Sequence, residues 1–215
     1  MNDSRIATPR LQASDRRRQL LDTALEIFSR KGFDGTTTKE IAAAAGVTEA
    51  IIFRHFPSKH ALYTAVIDDH HASSQFAECM AEWKACMDRN DDEGLVRAMV
   101  LRILESHHCD ARMHRLLLFA ALEGHETGLA HNRQIVTPIA EMLFAYVRRR
   151  QAEGALIDCD PGSVIAAVVG IAKHYGMMTE MFGFQSHVSN EQVAADFVRI
   201  LLSGLVVRKN VKGKK

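Results

Sequence analysis

The sequence contains no run of 18 apolar residues, so no membrane-spanning helix is expected. Its N-terminus lacks the apolar core of a signal peptide, and the expectation is a cytoplasmic protein. Four cysteines, Cys79, Cys86, Cys109 and Cys159, fall into neither disulfide nor zinc spacing, so reduced thiols are the default. Catalytic signatures are missing too: no nucleophile elbow, phosphate-cradling glycine loop, HExxH or paired-carboxylate pattern. These absences argue against an enzyme, and no cofactor is expected. Isolated acids such as Glu123 and Glu141 suit surface or pocket positions equally well. No strand signal and no internal repeat stands out.

What is present is an ordinary globular composition. The 215 residues are 47% hydrophobic and 25% charged, ample for a core. The net charge of +1 hides an asymmetry. Residues 1–60 carry 10 Lys/Arg against 7 Asp/Glu, a net of +3, whereas residues 61–204 carry 12 against 19, a net of −7. The last eleven residues add +5 through Arg208, Lys209, Lys212, Lys214 and Lys215. A basic head on an acidic body suits a protein that meets phosphate with one end.

One stretch, Thr36 to Lys59, organises the rest. Thr37 and Glu40 have capping-box spacing, Ile41 is the side chain to bury, and Ala42 to Ala45 keep the first helix slim. Gly46 supplies the permissive backbone of a sharp turn, and Thr48 caps a second helix. Ile52 and Phe56 share its inner face, Pro57 closes it and Ser58 caps the next. A slim helix, a glycine turn and a short second helix form the helix-turn-helix layout, whose second helix enters the major groove.

The same residues carry a resemblance. Gly35-Thr36-Thr37, then Ile41-Ala42-x-x-Ala45-Gly46-Val47, then Phe53-x-His55-Phe56-Pro57-Ser58-Lys59 resemble the TetR/AcrR family of transcriptional repressors. The match spans roughly the first quarter of the chain. Two positions depart from it: Phe53 stands where the family commonly has tyrosine, and Ile51 where it often has a small or hydroxyl residue. A phosphate contact from the tyrosine hydroxyl is thereby lost, and an unusual base preference is expected.

Positions in that motif imply the DNA contacts. Thr48, Glu49, Ala50 and Arg54 fall on the outer side of the second helix, with Arg54 suited to a guanine or a phosphate and Ala50 to a thymine methyl. Thr37, Thr38 and Lys39 lie where free backbone N–H groups at a helix start attract phosphate, and Lys59 occupies the same kind of place. His55 is a phosphate neighbour by the resemblance. Arg17 and Arg18, with Arg16, crowd the first turn of helix 1, where three cations oppose the helix dipole and invite an external anion.

The chain reads as all-α, about nine helices in two domains. Residues 1–13 form a flexible arm, 14–60 a three-helix DNA-binding domain, 61–207 an effector-binding and dimerisation domain, and 208–215 a basic tail. Helix 4 runs from Ser58 toward Met80 and Trp83, in one piece or two, and is a natural lever between head and body. Asp110 is placed as the cap of helix 6, and Asp160-Pro161 opens helix 8. Such readers usually bind as dimers, so a homodimer is expected through helices 8 and 9, at Val168, Ile171, Tyr175, Phe197, Ile200, Leu201 and Leu205.

The resemblance implies a pocket for a small-molecule effector, for which the body offers Phe76, Met80, Trp83, Met99, Ile103, Met113, Leu117, Phe119, Met142, Phe144, Tyr146 and Met178. The same side chains at helical spacing also suit plain core. A metal site is not assigned: His70–His71 and His107–His108 are neighbours on a helix, roughly 100° apart, and chelate poorly. His125 and His131 are expected in solvent beside a loop. The reading is a regulator whose dimer binds a near-palindromic operator and is released by a largely apolar effector. A constitutive DNA-binding protein is the alternative, and a metal sensor a lesser one.

Overall fold

A computed structural model of the chain describes residues 13–205. The arm before Ala13, the basic tail at 208–215 and the side chain of Leu205 lie outside the described residues. Ten helices and no strand occur among those described. No helix there is long and apolar enough to cross a membrane. The described chain divides into two compact units: residues 13–70 with 112–129, and 71–111 with 130–205.

The first unit holds α1 (Ala13–Lys31), α2 (Thr38–Ala44), α3 (Glu49–His55), α4 (Lys59–His71) and α7 (Arg112–Leu122). Leu20, Leu21, Ala24 and Phe28 recur at helical spacing on α1 and are buried, so burial of one stripe fixes that helix. The α2–α3 turn is a Schellman motif. Gly46, at φ +66°, donates to Ala43 O at 3.1 Å, and Val47 donates to Ala42 O at 2.9 Å. Ile41, Ile52 and Phe56 are buried, as their spacing predicts. Phe56, ahead of Pro57, is extended, as a residue before proline prefers.

Helix α7 is a finding the sequence did not give away. Read as part of the body, it instead packs along α1, with Met113, Leu116 and Ala120 buried. Arg112 reaches Asp22 at 3.0 Å and Glu26 at 3.6 Å. Asp110 also differs from expectation: it ends α6 as a C-cap, and α7 begins at Arg112.

The second unit holds α5 (Ser74–Asp88), α6 (Asp92–Cys109), most of α8 (Glu126–Ala152), α9 (Pro161–Glu180) and α10 (Asn190–Leu205). The helix read as Ser58 to Trp83 is thus two helices, which raises the count from nine to ten. Ser73 caps the second, its hydroxyl accepting from Phe76 N at 3.3 Å. Helix α6 is the centre of this unit and packs against α5, α9 and α10. Leu95, Met99, Val100 and Leu104 on α6, with Val168 and Ala172 on α9, form its interior. Asp160 caps α9 at Ser163 N, 2.7 Å away, with Pro161 following. An Arg150–Asp92 ion pair at 2.8 Å joins α8 to α6, and Tyr146 donates to the same carboxylate.

Candidate nucleic-acid interface

The reader is built from α1 to α4. Thr37, in extended backbone, accepts from Glu40 N at 3.2 Å and so starts α2. Glu40 does not return to the cap, because its carboxylate pairs with Lys31 Nζ. Thr38 Oγ1 donates to Glu49 Oε1, which ties the start of α2 to the start of α3. Gln19 on α1 secures the other end, its amide donating to Ala45 O at 3.2 Å. Thr48 has the backbone of an N-cap yet makes no side-chain cap bond, contrary to the expectation for it. Its exposed hydroxyl stays available to a partner outside the chain.

With Ile52 and Phe56 turned inward, α3 presents Thr48, Ala50, Phe53 and Arg54 to solvent. Phe53 is 46% exposed, an apolar ring on a surface that is otherwise small and polar. Arg54, Lys39 and Arg18 are exposed cations with no protein partner among the described residues. Arg17 stands 5.2 Å from the Phe56 ring, which brings the first turns of α1 beside the end of α3. Three of the predicted contacts, Thr48, Ala50 and Arg54, are thus exposed together on α3. Glu49 is half-buried and engaged by Thr38, so neither side chain is fully free for a base edge. His55 is half-buried with its Nε2 enclosed and unpartnered.

Lys59 points inward. Its Nζ donates to Phe33 O and Thr36 O, each at 2.8 Å, and lies 4.1 Å from the Phe33 ring centroid. Two of its three N–H donors are thus used within the protein. Glu123, in the turn just after α7, accepts from Phe33 N of the same loop at 2.9 Å. Around it lies an aromatic cluster that sequence spacing did not suggest. Phe33 stacks on His125 at 4.0 Å, and Tyr63 meets Phe28, Phe33 and His125 edge-on. His125 is therefore not the solvated loop residue expected: both ring nitrogens are buried and unpartnered. Burial, then the adjacent His60, holds its pKa below the ordinary value, against the pull of Asp34 and Glu123. Burial and the Glu123 carboxylate likewise keep the Tyr63 hydroxyl protonated.

The sequence model for bacterial regulatory proteins of the tetR family matches residues 20–66, the stretch that forms this reader. Over these residues the chain is similar to the TetR family. Over 155 residues it is 27% identical to the HTH-type transcriptional regulator TtgR of Pseudomonas putida, covering 72% of this chain and 65% of that one. It is 34% identical over 107 residues to the regulator AcrR of Shigella flexneri, covering 50% of this chain and 48% of that one. The matched stretch thus spans less than two thirds of either relative. The fold extends further: NalD, the secondary repressor of the MexAB-OprM multidrug efflux pump in Pseudomonas aeruginosa, superposes with a TM-score of 0.66 at 18% identity. That likeness covers 92% of this chain and all of NalD.

The twelve residues expected to line an effector pocket fall in both units. Met113, Leu117 and Phe119 lie on α7 in the first unit. Trp83, Met99 and Tyr146 are buried core of the second, with Met80, Ile103 and Met142 packed on them. Met99 and Tyr146 line a cavity of about 30 Å³, room for water and no more. Phe76 meets His71 edge-on at 5.0 Å, and Phe144 and Met178 are half-buried. A cleft of about 550 Å³ does open in this unit, between the ends of α6 and α9 and the start of α10. None of the twelve lines it; Glu105, Glu180, Glu191, Tyr175 and Phe184 do.

Of the side chains named for a dimer contact, Val168 is sealed inside the second unit at 1% exposure and cannot meet a partner. It faces α6, not outward, because residues four apart on α9, Val164, Val168 and Ala172, form the buried stripe. Ile171, Tyr175, Phe197 and Leu201 are half-buried, and Tyr175 meets Phe197 edge-on at 5.6 Å. Ile200 is 60% exposed.

Proposed function

We propose that this chain is a TetR-family DNA-binding transcriptional regulator, acting as a cytoplasmic homodimer that represses at a near-palindromic operator. The observation that carries this reading is the outer face of α3, where Thr48, Ala50 and Arg54 stand exposed on a helix pinned from behind by Ile52 and Phe56. Small and hydrogen-bonding groups on a rigid helix suit base edges, and the neighbouring Arg17, Arg18 and Lys39 suit phosphates. One such helix offers few base contacts, so two copies are needed for a specific site. The exposed apolar residues on α10 and in the segment before it, Ile200, Phe182, Phe184 and Val188, are the surface we assign to the second copy.

Release by a small, largely apolar effector is part of the proposal and rests on the family resemblance. A second reading is a constitutive DNA binder, which the burial of Trp83, Met99 and Tyr146 in the core of the second unit suits. Solution mass and duplex protection test the first reading together. A species of twice the 24.0 kDa chain that protects two half-sites supports it. A folded monomer that coats all duplexes alike contradicts it. Operator release by any apolar small molecule separates the regulated reading from the constitutive one.

A further inference from the structure

The loop between α1 and α2, residues 32–36, sets where the reader begins, since Thr37 caps α2 immediately after it. Its backbone is held by one of its own side chains and by two from elsewhere. Thr36 Oγ1 returns to Gly32 O at 2.7 Å, and Lys59 of α4 takes the carbonyls of Phe33 and Thr36. The Phe33 N–H is left, and Glu123 Oε2 accepts it at 2.9 Å across 90 residues of sequence. Phe33 is 5% exposed, so that N–H has no water to turn to. The other carboxylate oxygen fills the space over Gly32. A Cβ there would lie 1.9 Å from Glu123 Oε1, at a backbone φ of +73° that already favours glycine. Gly32 is thus shaped for the carboxylate as well as for the turn.

We infer that Glu123 is a positioning residue for DNA binding: from the turn that ends α7, this one carboxylate fixes the α1–α2 loop and through it the phosphate-facing start of α2. The inference rests on the operator reading above. In chain order α7 is bracketed by the two stretches of the second unit, residues 71–111 and 130–205.

The test uses the full chain, a duplex selected by the natural chain from random DNA, and a non-specific duplex of equal length. Glu123→Ala is expected to weaken binding to the selected duplex roughly tenfold, as loss of a buried acceptor would, and to leave non-specific binding unchanged. Hydrogen exchange at the Phe33 amide should quicken in the same variant. Glu123→Gln keeps an acceptor carbonyl and should restore both. If Glu123→Ala matches the natural chain on both duplexes with Phe33 still protected, the inference is overturned. Equal losses on both duplexes overturn it as well, since they mark a head that has simply loosened. A natural chain that selects no duplex removes the operator reading instead, and Phe33 exchange then still decides whether Glu123 holds the loop.

Discussion

Lys59 grips Phe33 twice, with Nζ donating to its carbonyl at 2.8 Å and standing 4.1 Å from its ring. A lysine placed by its motif as a phosphate contact is thereby a structural part of the reader. Lys59→Ala should leave two loop carbonyls without their charged donor and cost about 2–3 kcal/mol of stability. Thermal melting checks this directly. Lys59→Arg should recover part of the melting temperature. If Lys59→Ala melted like the natural chain while losing DNA, the side chain would be acting on phosphate alone.

Arg54 is the opposite case, exposed and unpaired among the described residues. Arg54→Ala should leave the melting temperature unchanged and weaken operator binding by about 1–3 kcal/mol. A melting shift as large as that of Lys59→Ala would place Arg54 in the fold and not at the DNA.

The contrast shows what a sequence makes legible. The helix-turn-helix could be read because its signals are local: Thr37 caps three residues ahead, Gly46 turns the chain, and Ile52 and Phe56 repeat at four. Asp160-Pro161 was readable for the same reason. What was hidden depends on partners far along the chain. Glu123 reaches Phe33 over 90 residues and Lys59 reaches it over 26, and no periodicity encodes either. Helix α7 has an apolar stripe that would suit either unit, so its pattern does not say which one it joins. Val168 was misplaced likewise: its helix is apolar on several sides, and only packing shows which side faces α6.

Two histidines should make stability depend on pH. Burial lowers the pKa of His125, and burial lowers that of His107 despite its bond to Ile103 O at 2.9 Å. Both are favoured neutral in the folded chain. Their contribution is complete above the ordinary value near 6.5 and drains away as pH falls from there through the lower folded values. The melting temperature should therefore drop between about pH 7 and about pH 5. His125→Leu removes one titrating group and two unpartnered buried nitrogens, so it should flatten part of that drop without loss near neutrality. An unchanged slope in this variant would mean that His125 is not held neutral.

The face assigned to the second copy is tested by two substitutions on α9 and α10. Ile200→Glu adds a charge to a residue that is 60% exposed. It should halve the solution mass to that of one 24.0 kDa chain with helical content intact. Val168→Asp places a charge in a sealed interior and should unfold the second unit, at a cost of several kcal/mol. If Ile200→Glu left the mass unchanged, the pairing surface would lie elsewhere.

The central claim is that the outer face of α3 reads base pairs, and selection from random duplex DNA with the natural chain and Arg54→Ala side by side tests it most directly. The account predicts that the natural chain enriches a near-palindrome, and that Arg54→Ala loses preference at one position repeated symmetrically in both half-sites. No enrichment by a folded dimer, or the same preference from both proteins, would contradict it.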